Sequence, residues 1–101
     1  MQVVELFLPL DKGSGAPIEA GVIEHIVLSL AERFGGATAF TREPAEGLWK
    51  ASSAIERDRI VIVEVMVEDL EVDWWRNYRE KLEKEFEQEE VLIRVTACRR
   101  I

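Results

Sequence analysis

The chain has 101 residues, enough for one domain over 1–101 with one core. With 48% hydrophobic and 33% charged residues it is a globular type rather than a disordered one, and a net charge of −7 argues against a nucleic-acid partner, which needs clustered Lys and Arg. Cys98 has no second cysteine to pair with, MQVVELFLPL has no basic leader and carries Glu5, and no apolar run reaches the ~20 residues of a membrane span, so the expectation is a cytoplasmic protein with no membrane partner.

The first strand is expected from Val3 to Leu10, stopped by Pro9 and the turn-forming Asp11-Lys12-Gly13-Ser14-Gly15. A helix follows from Pro17, whose missing N–H suits a first helical position. Its stripe is Ile18, Val22, Ile23, Ile26, Val27, Leu30 and Phe34, and Gly35-Gly36 ends it. A short strand, Ala37 to Arg42, comes next, then a break at Glu43-Pro44-Ala45-Glu46-Gly47. Leu48-Trp49-Lys50 reads as a short extra strand or a packed turn, and Ala51 to Asp58 as a loop. Arg59 to Val67 is the strongest strand, being rich in β-branched residues. Asp73 is the expected N-cap of a second helix. Trp74, Trp75, Tyr78, Leu82 and Phe86 form its apolar stripe, and Arg76, Glu80 and Lys84 a solvated face of i,i+4 pairs. The last strand is Val91 to Cys98.

This order is β-α-β-β-α-β, which predicts an α+β, ferredoxin-like sandwich. Right-handed crossovers then place both helices on one face of a four-stranded antiparallel-type sheet, with the first and third strands central. Strand alternation puts Val4, Leu6, Leu8, Val61, Val63, Val65, Val67, Val91, Ile93, Val95 and Ala97 toward the helices. The opposite face holds Val3, Glu5, Phe7, Ile60, Ile62, Glu64, Met66, Leu92, Arg94, Thr96 and Cys98. The second strand adds either Thr38, Phe40 and Arg42 or the alternate set. So apolar a face predicts a covering partner, and a homodimer is the simplest one.

Glu5, Glu64 and Arg94 are the catalytic candidates. Two carboxylates drawn together out of water raise one pKa and create an acid or base, while the competing reading is an ion-paired interface. Phe7, Arg42, Trp49 and Met66 are the candidate ligand-binding residues. Trp49 sits in PAEGLWK as a lid over a pocket or a cap on the core edge, while Trp74 and Trp75 fit the core stripe. His25 lies opposite its helix's apolar stripe and has no second histidine for a zinc site, so no metal or cofactor is expected. Cys98 reads as a small hydrophobe. Ser52-Ser53 lack the glycine-flanked elbow of a hydrolase. DKGSG precedes the first helix and offers a weak anion site.

VVELFLPL, RFGGATAF with PAEGLWK, RDRIVIVEVMV and FEQEEVLIRV together cover most of the chain and resemble a group of small, largely uncharacterised bacterial proteins. The resemblance implies a ferredoxin-like domain similar to the dimeric α+β barrels, whose members include oxygenases, isomerases, heme-degrading enzymes and ligand-sensing modules. It matches no active-site motif. Two functions are therefore expected to compete. One is a non-enzymatic homodimeric module that binds a small molecule or a protein through its open sheet face. The other is a cofactor-independent enzyme of oxygenase or isomerase type, using Glu5 or Glu64 as base and Arg94 to hold an anionic group.

Overall fold

The structure, a computed structural model, describes the backbone of residues 1–51 and 54–101 and the side chains of residues 1–38 and 59–101. Its elements are β1 (Gln2–Pro9), α1 (Ala20–Phe34), β2 (Thr38–Ala51), β3 (Ala54–Val67), α2 (Val72–Glu85) and β4 (Ile93–Ala97). The four strands form one sheet in the order β2-β3-β1-β4, with every pairing antiparallel. Ser52-Ser53 lie outside the described residues.

The expected alternation holds through the centre of the sheet. Val4, Leu6, Leu8, Val61, Val63, Val65 and Val67 are all buried, and they share one core with Ile23, Ile26 and Leu30 of α1 and Trp75, Leu82 and Phe86 at α2. Residues of both helices pack on that one set of strand positions, so both helices cover the same face. β4 departs from the pattern. Val91 is buried and Ile93 packs on the core, but Val95 is 39% exposed and Ala97 is exposed too. Val95 registers with fully buried Val4, so at this level the helical cover ends over β1 and leaves the edge strand wet.

α1 begins at Ala20 and not at Pro17. Pro17 is bridged to Asp11, and the Ile18 N–H donates to the Leu10 carbonyl at 2.8 Å, which keeps this stretch extended. The DKGSG loop is no anion cradle. Lys12 N–H donates to Ala16 O, Gly13 N–H to Phe86 O and Gly15 N–H to Lys12 O. Three of the loop's amides thus face protein carbonyls instead of a ligand. Gly13 packs so closely that a Cβ there would overlap the Glu87 carbonyl oxygen. Asp73 is not the N-cap of α2; Glu71 holds that position, without a side-chain cap bond, and Asp73 lies in the first turn. There its carboxylate sits 3.9 Å from Arg76, the partner expected for Glu80.

The larger correction concerns β2 and β3. Of the stretch expected as a break, a short extra strand or packed turn, and a loop, Leu48-Trp49-Lys50 takes the strand alternative, and the flanking break and loop are strand as well. Trp49 registers with Glu56, and pairing runs on to Ala51 with Ala54. The Glu43-Pro44 break survives only as an irregularity between Phe40 and Ala45. A proline is tolerated there because β2 is an edge strand and a bulge needs no ladder N–H. β1 pairs with β3 as far as Pro9 with Ile60, and just beyond it the Leu10 N–H donates to the Arg59 carbonyl at 2.9 Å. Past that point Gly47–Ala51 and Ala54–Asp58 continue as a two-stranded arm. Ile60, at the root of the arm, is buried although it lies on the face away from the helices.

Candidate functional site

The open sheet face carries a charged row made by register. Thr38 of β2 is opposite Glu64 of β3, Glu64 is opposite Glu5 of β1, and Glu5 is opposite Arg94 of β4. The structure thereby settles the phase of β2 at its start: Thr38 and Phe40 register with the open-face positions Glu64 and Ile62. Arg42 falls in the irregular stretch.

Within the row, Arg94 Nε donates to Glu5 Oε1 at 2.9 Å and a terminal nitrogen to Oε2 at 3.5 Å. The Glu5 side chain is 15% exposed and that of Arg94 is 59% exposed. Arg94 also lies over the Phe7 ring, 5.0 Å from its centroid. The hydrogen bond to Glu5, and then the attraction of its charge, push the Arg94 pKa above its ordinary value. Glu5 and Glu64 are therefore not a bare carboxylate pair. Arg94 occupies both oxygens of Glu5, which leaves Glu64 as the carboxylate suited to meet a ligand.

Glu64 also stands in the wall of a cavity of about 880 Å³ at the end of the sheet. Sequence reasoning missed this cavity. It forms where the end of α1, the start of β2, the end of β3, the β3–α2 connection and both chain ends converge. Thr38, Glu64 and Met66 belong to both the sheet face and the cavity. The wall's carboxylates are Glu64, Glu68, Asp69 and Glu71, and its cationic side chains are Arg33 and Arg100. Arg33 is already committed, because it bonds Glu71 Oε2 at 2.9 Å and stacks over Trp74 at 4.3 Å. Phe34 packs edge-on to Trp74 and flat on Trp75, which ties the end of α1 to the first turn of α2. Through Phe34 and Arg33 this aromatic cluster backs one side of the cavity.

Phe7 and Met66 lie where expected. Phe7 is half-buried under Arg94, and Met66 is 45% exposed at the cavity rim. Trp49 does not join them. The stretch of β3 from Glu56, its register partner, to Glu64 covers about 26 Å at about 3.3 Å per residue. Within one chain, Trp49 and the charged row are two separate places. His25 is exposed, as expected, and Cys98 is half-buried with its N–H on the Met1 carbonyl. Among the described residues no group of three His, Cys, Asp or Glu can hold a metal ion, and no helix is long and apolar enough to cross a membrane.

No family model matches the chain, and no curated protein matches it. Solved structures share its fold, among them two of a phage enzyme. A phage SAM lyase in its apo state superposes with a TM-score of 0.63 at 14% identity, covering 94% of this chain and 78% of that one. A phage SAM lyase in complex with S-methyl-5′-thioadenosine gives 0.57 at 13% identity, covering 94% and 79%. At such identities the likeness is one of fold.

Proposed function

We propose that this chain is a ferredoxin-like small-molecule-binding domain that works as a homodimer. Its ligand sits in the cavity at the end of the sheet, with Glu64 as the chief polar contact. The observation that carries this reading is the double position of Glu64, which belongs to the charged row and lines a cavity large enough for a metabolite. The ligand class follows from charge. Four carboxylates face two arginines, one of them already paired with Glu71, so the wall suits a cationic or zwitterionic molecule. SAM, a sulfonium cation carrying an amino acid, fits that description, and the SAM lyase fold neighbours add support. The homodimer rests on the open face, where half-buried Phe7, Ile62 and Leu92 and exposed Met66 lie together.

Titration calorimetry of the wild-type chain with SAM, and separately with S-methyl-5′-thioadenosine, tests the ligand. Saturable binding of SAM, weakened about tenfold or more by Glu64→Gln, is expected. No heat from either compound up to millimolar concentration would overturn this ligand class. The second reading, a cofactor-independent enzyme, is favoured by the Arg94–Glu5 clamp, which leaves the base role to Glu64 and fixes the residues beside it. On that reading Glu64→Gln still binds SAM, and the product formed by the wild type disappears.

A further inference from the structure

β4 is an edge strand: β1 lies on one side of it, and among the described residues nothing pairs with the other. The Phe7 N–H donates to the Leu92 carbonyl and the Cys98 N–H to the Met1 carbonyl. Backbone groups alternate sides along a strand, so Leu92, Arg94, Thr96 and Cys98 turn theirs to β1. The N–H and C=O groups of Ile93, Val95 and Ala97 therefore point out from the free edge. Folded chains usually blunt such an edge with a proline, a bulge or a charge. β4 has no proline, its register with β1 runs without a shift, and Ile93, Val95 and Ala97 are apolar. The helices leave Val95 exposed beside this edge. Charge stands instead at the two ends. Glu89-Glu90 precede the strand and Arg99-Arg100 follow it; all four are exposed, and among the described residues none of them forms an ion pair.

We propose that β4 pairs antiparallel with β4 of a second copy of this chain, about a two-fold axis at Val95. Val95 then lies opposite the partner subunit's Val95, Ile93 opposite the partner subunit's Ala97, and Arg94 opposite the partner subunit's Thr96. The outward backbone groups of each strand find those of the other, because every bonded pair joins two outward-pointing positions. Direction follows from charge. Antiparallel pairing sets Glu90 opposite the partner subunit's Arg100 and Glu89 diagonal to the partner subunit's Arg99, and the two-fold axis repeats both contacts. Parallel pairing in register would set like charges together at both ends. Charge selects the register too. Moving the axis to Arg94 would put two arginines face to face, and moving it to Thr96 would set Arg100 opposite Leu92 and lose the pairing with Glu90. The second copy also reaches the candidate site: Arg100 stands in the cavity wall, so the pairing brings the partner subunit's Glu90 to the cavity rim. This contact goes beyond the homodimer reading above, which rests on the open face, and it leaves that face uncovered. A seven-residue strand pair is only about 23 Å long and far smaller than a standard interface, so the expected dissociation constant is micromolar.

Disulfide trapping tests this with one substitution. Leu92→Cys places a thiol opposite the partner subunit's Cys98, with about 4.5 Å between Cα atoms, inside the range of a disulfide. Within one chain the two positions lie about 20 Å apart, so they can bond only between copies. Oxidation is expected to give a covalent dimer with Leu92→Cys. None is expected with the wild type, whose Cys98 lies opposite a leucine, or with Leu28→Cys, since Leu28 is exposed on α1. Val95→Pro removes only an outward N–H, so it is expected to stay folded and to sediment as a monomer at concentrations where the wild type is a dimer. Arg99→Glu with Arg100→Glu is expected to raise the dissociation constant about tenfold or more, and adding Glu89→Arg and Glu90→Arg to restore it. A wild-type dimer that gives no covalent species, and that withstands both Val95→Pro and the charge reversal, would overturn the edge proposal and leave the open-face dimer standing. A wild type that stays monomeric to about 500 μM, where even a ~100 μM interface would be populated, would overturn both.

Discussion

Leu82→Ala is the sharpest probe of the packing that positions the cavity wall. Leu82 is 1% exposed and sits in the core with Phe86, Trp75 and the β3 valines. The substitution removes the three outer carbons of the side chain, worth about 0.8 kcal/mol each in transfer free energy, or about 2.4 kcal/mol together. The cavity left behind raises the cost to about 3–5 kcal/mol, since α2 is held by the aromatic cluster with Phe34 and cannot collapse freely. For a chain of this size a loss of about 3 kcal/mol lowers Tm by about 12–24 °C. Urea denaturation followed by tryptophan fluorescence is the assay, and an unchanged m-value licenses the comparison. Leu28, 58% exposed on α1, is the control, and Leu28→Ala is expected to cost less than about 0.5 kcal/mol. A Leu82→Ala loss under about 1 kcal/mol, or a Leu28→Ala loss that equals it, would refute this placement of the helices.

Burial, and then the charge of Glu85, push the Tyr78 pKa from its ordinary 10.0 up to about 12. The folded chain therefore holds the phenolic proton longer than the unfolded chain, so this contribution to stability is whole below pH 10 and is lost as pH climbs toward about 12. Urea midpoints across that range are expected to fall less steeply for Tyr78→Phe, and an identical slope would count against the burial assigned to Tyr78. Two glycines are expected to respond with opposite signs in the same assay. Gly13→Ala should destabilise by about 1–3 kcal/mol, because its Cβ meets the Glu87 backbone. Gly21→Ala should stabilise by up to about 1 kcal/mol, because it is helical and nothing lies within 4 Å of its Cβ.

Much of the sheet was legible in the chain itself. Val4-Leu6-Leu8 and Val61-Val63-Val65-Val67 declare which side of each strand is dry, since strand geometry alternates side chains whatever the strand's neighbours. The stripes Ile23-Ile26-Leu30 and Trp75-Leu82-Phe86 do the same for the helices, at helical period. Both signals are local, because the period depends on backbone geometry alone. The juxtaposition of Glu5 with Glu64 and Arg94 was legible too, once the central strands were assigned.

Tertiary structure decided what depends on partners. Residues 43–47 and 54–58 mix charges, glycine and proline with few alternating apolar positions, so little local marks them as strand, and Leu48-Trp49-Lys50 left strand and turn both open; they pair because each supplies the other's ladder, which leaves an arm where a break and a loop were expected. The exposure of Val95 could not be read from its alternation, since that depends on how far the helices reach across an edge strand. The cavity beside Glu64 is assembled from segments distant in sequence, so no single segment carries its signature. The distance that separates Trp49 from Glu5 and Arg94 follows from the unbroken run of β3, and it is a property of the strand's length in space rather than of any motif.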